Sequence, residues 1–109
     1  MPARQALLTL DRLFPPAEAV LLKFGYLPRE MQDKWFIYFE QEALYFHRSW
    51  TGFCIYQVSF APEGQGLRMT RAIVNRDAEQ YKETRDERDR EQISRLIDTF
   101  LLQRDLDLP

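Results

Sequence analysis

The segment His47-Arg48-Ser49-Trp50-Thr51-Gly52 sets an imidazole, a guanidinium, two hydroxyls and an indole side by side, closed by a glycine. A guanidinium and the backbone N–H groups of a glycine turn suit a phosphate or a carboxylate. An indole suits a base or a sugar ring. Further along, Asn75-Arg76 adds an amide and another guanidinium. The sequence therefore outlines a small anion pocket built from His47, Arg48, Ser49, Trp50, Thr51, Tyr56, Asn75 and Arg76. In that outline Arg48 or Arg76 pairs the anion, Trp50 stacks, and His47 supplies a hydrogen bond. The same residue types have a plainer use: Ser and Thr bond turn backbone, Gly52 serves turn geometry, and Trp50 caps a core.

His47 is the one histidine. As a general acid or base it would need a carboxylate beside it, and Glu40 or Glu42 could supply one. That arrangement defines a second reading, a nucleotide or ADP-ribose hydrolase using His47. A lone strand histidine among aromatics is more often a hydrogen-bonded packing residue. Cys54 is the one cysteine and has apolar neighbours, so it reads as a small buried hydrophobe. One His and one Cys do not make a structural zinc site. No glycine-rich phosphate loop or metalloprotease motif is present, and no cofactor or metal is expected.

These residues need elements to hold them. Lys34–Phe39, Leu44–Arg48 and Phe53–Phe60 read as strands, separated by the polar loop Glu40–Ala43 and the turn Ser49–Gly52. Pro62–Gly66 is a turn and Leu67–Val74 a fourth strand. The product is an antiparallel meander of about four strands. Before it, Ala6, Leu7, Leu10, Leu13 and Phe14 recur at helical spacing, with strand as the alternative for Leu7–Leu10. Pro16 can open a second helix, Ala17–Phe24, stopped by Gly25. Tyr26-Leu27-Pro28 is an extended linker. After the sheet, Asp77–Glu91 carries eleven charged residues in fifteen, seven acidic and four basic. It reads as a loop with a short helix around Ala78–Lys82. Ile93, Leu96, Ile97, Phe100 and Leu101 then form one apolar stripe of a C-terminal helix. The expected class is α+β: an antiparallel sheet packed by the C-terminal helix, with N-terminal helical segments, in a single domain 1–109.

Strand alternation sorts the side chains. One arrangement puts Ile37, Phe46, Ile55 and Ile73 under the C-terminal helix. Tyr38, Tyr45, His47 and Tyr56 then share the opposite face. That face is either wet or covered by the N-terminal helices.

Trp35-Phe36-Ile37-Tyr38, then Leu44–Gly52, then Ile55-Tyr56, resemble a small bacterial family that has no settled activity. Asn75-Arg76 and Tyr81 fit a later part of the same pattern. The resemblance covers Trp35 to Tyr81, about half of the chain. It implies an association with ADP-ribose- or nucleotide-processing domains, and it adds weight to the His47–Gly52 turn.

The bulk figures set outer limits. The chain has 109 residues, 45% of them hydrophobic and 29% charged, with a net charge of −2. A chain of this size buries roughly 65% of its unfolded surface, enough for one core. The acidic balance argues against a nucleic-acid groove. Arg48, Arg68, Arg71 and Arg76 against Glu63 give residues 44–76 a local charge of +3 (four minus one), which Asp77–Glu91 can neutralise. Lack of a cysteine pair favours a reducing compartment, and the short apolar start is unlike a signal peptide, so a cytoplasmic protein is expected. The expected function is a non-catalytic binding module for a small anionic or nucleotide-like ligand. A protein-interaction or immunity-type role, resting on the charged Asp77–Glu91 stretch, is the alternative. A homodimer through the aromatic sheet face is also open.

Overall fold

Runs of alternating apolar and polar residues put one side of each strand into a core and leave the other to water. A computed structural model describes residues 3–26, 34–81, 83 and 85–102. It contains β1 (Gln5–Phe14), α1 (Pro16–Phe24), β2 (Trp35–Glu40), β3 (Ala43–Arg48), β4 (Cys54–Glu63), β5 (Gly66–Asn75) and α2 (Asp86–Leu96). A π-helical turn, Ile97–Leu101, prolongs α2. The strands form one antiparallel sheet in the order β1-β5-β4-β3-β2. β2 to β5 are a hairpin meander, and β1 lies against β5 at the far edge. The fold is α+β as expected, with five strands rather than four. No helix among the described residues is long and apolar enough to cross a membrane.

One face of the sheet carries the core. Trp35 and Ile37 of β2, Leu44 and Phe46 of β3, Tyr56, Val58 and Phe60 of β4, and Ala72 and Val74 of β5 meet Ala19 and Leu22 of α1. Ile93, Leu96, Ile97 and Leu101 of the C-terminal helix close the same cluster. Both helices therefore feed one core. The opposite face holds Phe36, Tyr38, Tyr45, His47, Gln57, Ser59 and Ile73, all only half-buried. Its rings lean on each other across β2 and β3: Tyr38–Tyr45 at 4.9 Å and Tyr38–His47 at 5.5 Å between centroids. Such cross-strand pairs stabilise a sheet without a covering layer.

Three expectations are corrected. Ala6 to Phe14 is strand β1, not a helix. Ala6, Leu8 and Leu10 alternate inward, whereas Leu7 is 68% exposed and Leu13 47%. The same alternation runs on through Arg12 to the buried Phe14, across a shift in pairing with β5 between Thr9 and Arg12. Counting Leu7 and Leu13 as core residues produces the false helical spacing. Secondly, Tyr56 is not on the His47 face. The register runs Phe46↔Tyr56 and then His47↔Cys54, so Ile55 has no partner and forms a bulge. One extra residue exchanges the faces of the strand beyond it. Thirdly, residues 78–80 are a turn, not a helix, and Lys82 lies outside the described residues. The charged run from Asp86 onward is helical instead. Leu27 and Pro28 of the expected linker also lie outside the described residues.

Local backbone explains the connections. Gly25 ends α1 at φ 65°, and a Cβ there would collide with the carbonyl oxygen of Ile37. That close approach lets Tyr26 exchange two backbone hydrogen bonds with Ile37, at 2.7 and 2.8 Å. The β2–β3 hairpin turns on Gln41 and Glu42, both at positive φ (51° and 62°). Two-residue hairpins demand this geometry, and it destabilises L side chains other than Asn and Asp by about 1 kcal/mol or more. Gln41→Asn combined with Glu42→Gly is therefore expected to stabilise the protein by about 1 kcal/mol, relieving that strain. The check is a higher urea midpoint at an unchanged slope; an unchanged midpoint would refute the strain.

Candidate functional site

The β3–β4 turn is held by its own backbone. Gly52 N donates to Arg48 O at 2.8 Å and Arg48 N to Phe53 O at 2.9 Å. Thr51 Oγ1 accepts from Phe53 N at 3.3 Å. Gly52 takes φ 76°, the left-handed region that glycine enters without cost. Ser49 N donates to Lys34 O at 3.0 Å and fastens the turn to the start of β2. The turn thrusts Trp50 outward, 73% exposed.

A second loop, after β5, faces this turn. Asn75 is completely buried and uses its whole amide. Its Nδ2 donates to Cys54 O and to Gln80 Oε1, each at 2.9 Å, while Oδ1 accepts from Asp77 N at 2.8 Å. Asp77 Oδ1 in turn accepts from Glu79 N at 2.9 Å. The two loops border an open cleft of about 460 Å³ lined by Lys34, Arg48, Trp50, Thr51, Phe53, Glu79 and Gln80.

Arg48 is the central cation of that cavity. Its guanidinium lies 4.5 Å from the centre of the Trp35 ring. Trp35 stacks in turn on Tyr56 at 6.0 Å with planes 14° apart. This cation–π contact positions the charge without cancelling it. Three other arginines are neutralised at close range: Arg12 by Asp98 at 2.7 Å, Arg68 by Glu63 and Asp11, and Arg76 by Asp86 and Asp89. No carboxylate among the described residues pairs with Arg48.

Behind the stack lies a buried polar cluster. Asp89, in the first turns of α2, is fully buried. Its Oδ1 accepts from Tyr81 OH at 2.6 Å, and Tyr56 OH lies 3.1 Å from the same oxygen. Tyr56 OH and Tyr81 OH are 2.6 Å apart, and Gln92 Nε2 donates to Tyr56 OH at 3.0 Å. The other oxygen of Asp89 pairs with Arg76, which also reaches Asp86 Oδ1 at 2.8 Å and Glu83 O at 3.2 Å. Burial pulls the Arg76 guanidinium down, but the bonds and charges of Asp89 and Asp86 outweigh it and hold its pKa above the ordinary value. Burial, reinforced by Asp89, pushes both phenols well above the ordinary tyrosine range; the bond between the two hydroxyls adds to the rise at Tyr56 and opposes it at Tyr81.

The eight residues expected to form one pocket thus fall into three groups. Arg48, Trp50 and Thr51 line the cavity, with Ser49 anchoring its turn. Tyr56, Asn75 and Arg76 build and brace the walls from behind. Arg76 in particular is engaged by two carboxylates, whereas Arg48 is paired with no carboxylate among the described residues. His47 lies on the opposite sheet face. A carbonyl only accepts, so its Nδ1 carries the proton and donates to Gly52 O at 3.0 Å. Its Nε2 is buried without a hydrogen-bond partner. No carboxylate among the described residues bonds the ring, and the acid–base arrangement with Glu40 or Glu42 is not formed. Burial pushes the Cys54 thiol up, as suits a packed hydrophobe. Pairing between the arginine-rich and acidic segments holds at Arg76 with Asp86 and Asp89.

No family model, curated protein or solved structure matches the chain. Sequence reasoning missed Lys34, Phe53, Glu79 and Gln80 in the lining and Asp89 behind it. Asp89 had a signal: it sits four residues before Ile93, on the inward stripe of α2, where a carboxylate requires partners.

The buried cluster can be tested in two ways. Asp89→Ala takes the buried carboxylate from Arg76, Tyr56 and Tyr81, leaving Arg76 only the exposed Asp86, and should cost roughly 3 kcal/mol in denaturant unfolding; a loss under 1 kcal/mol would show the cluster to be dispensable. Raised phenol pKa values give stability that is complete below pH 10, where an unfolded tyrosine starts to ionise, and that falls as pH rises beyond it. The wild type should therefore lose stability between about pH 10 and 11.5 more steeply than Tyr56→Phe/Tyr81→Phe. Equal slopes would count against the cluster as drawn.

Proposed function

We propose that the protein is a non-catalytic binding module for a small anionic, nucleotide-like ligand, held between the β3–β4 turn and the loop after β5. The observation that carries this reading is Arg48, a guanidinium oriented by Trp35 and left unneutralised at a cavity wall. Lys34 adds a second cation, and Trp50 and Phe53 offer flat apolar surface. A volume of about 460 Å³ falls within the usual range for small-molecule sites. Thr51, Gln80 and Glu79 supply polar groups that favour a ligand with hydroxyl or amino donors over bare phosphate. The resemblance across Trp35–Tyr81 to a family associated with nucleotide- or ADP-ribose-processing domains agrees with this reading. Binding is favoured over hydrolysis because His47 is tied to the Gly52 carbonyl on the other sheet face.

A thermal-shift screen against nucleotides, ADP-ribose and phosphorylated metabolites tests the proposal. A ligand at one hundred times its Kd adds about 2.7 kcal/mol, a shift of several degrees for a domain this small. Arg48→Ala with Trp50→Ala should abolish the shift. The proposal fails if nothing shifts the wild type, or if the shift survives in the double variant.

A further inference from the structure

Arg48 belongs to two cavities. Beyond the one described, a second of about 330 Å³ lies along α2, and Arg48 is the residue common to both linings. The two have opposite characters. The first is faced by Trp50 and Phe53; the second by Arg88 and Arg95, with Glu83 and Glu91. Neither of these arginines is neutralised as Arg76 is. Arg88, 63% exposed, makes one long ion pair of 3.9 Å with Glu83, and Arg95 contacts the neutral Gln92 at 3.5 Å.

Resting on the binding reading above, we infer that one ligand spans both cavities: a planar heteroaromatic ring in the first, joined to a diphosphate that crosses Arg48 into the second. A flat ring is stabilised by the exposed indole, and each phosphate by planar guanidinium forks. Charge limits the length of the anion. Among the described residues, three arginines face two glutamates in the second cavity, an excess of one positive charge (three minus two). That balance suits a short diphosphate and disfavours a long polyanion. Gln92 fixes the floor, since its Nε2 is held on Tyr56 OH at 3.0 Å.

Calorimetric titration of the full chain with AMP, ADP and pyrophosphate tests the span. ADP should bind about ten-fold tighter than AMP, the second phosphate gaining charge-assisted bonds. Arg88→Gln/Arg95→Gln should bring ADP down to the affinity of AMP and leave AMP unchanged. Trp50→Ala should weaken ADP and spare pyrophosphate. Because both arginines are exposed, matching thermal midpoints by circular dichroism confirm folding, and Arg88→Gln alone serves if the pair unfolds. Equal binding of AMP and ADP, or an ADP advantage that survives Arg88→Gln/Arg95→Gln, overturns the spanning ligand while the binding reading stands. Failure of AMP and ADP alike to bind also overturns the spanning ligand; the binding reading falls with it only if the wider thermal-shift screen finds nothing.

Discussion

A carboxylate with no solvent exposure has to find its compensation inside the fold, and Asp89 does so from three directions. Tyr56 comes from the middle of the sheet, Tyr81 from the loop after β5, and Arg76 from the end of β5. Each of these elements is fixed relative to α2 by the demand of one side chain. Apolar contacts alone would let the helix slide by a turn along the sheet at modest cost. A buried ion pair with two phenols cannot be rebuilt one turn away, so the helix has a single seat. The geometry then propagates outward through Tyr56, Trp35 and Arg48 as stacked flat groups. The polar cluster is thus less a source of net stability than a means of setting position.

The sheet divides its labour between faces. The helix-covered side holds the apolar core and the stack that ends at Arg48. The other side holds a file of tyrosines with His47, supported by cross-strand ring contacts. The exchange between these roles is set at Ile55, where a single unpartnered residue turns Tyr56 inward while Cys54 stays beside His47. Without that bulge, Tyr56 would join the outer tyrosines and Asp89 would lose a donor.

Much of the fold was legible because the strands from Trp35 onward are bounded by strong turn residues and the stripe from Ile93 to Leu101 has an unambiguous helical period. The features that escaped reading have definite causes. β1 was hidden by Leu7 and Leu13, apolar residues that face water and so blur its period of two. The placement of Tyr56 depended on a bulge that pairing creates and spacing does not reveal. Arg48, Trp50 and Thr51 were found from their types, but Glu79 and Gln80 approach them only because Asn75 folds the chain back. Arg76 was chosen for the same chemistry as Arg48. Its carboxylate partners lie ten and thirteen residues further on, and only the start of α2 at Asp86 brings them within reach.

The bond pair between Tyr26 and Ile37 has a consequence for how the molecule behaves in company. It occupies part of the outer rim of β2, the strand at one end of the sheet. At the other end, β1 is broken by its register shift, carries Arg12 tied to Asp98, and has the Thr9 carbonyl engaged by Arg90 at 3.3 Å. Neither end presents a flat, uninterrupted row of backbone groups to a strand from another molecule. Among the described residues the five-stranded sheet thus gives little template for growing into a fibre when the protein is crowded.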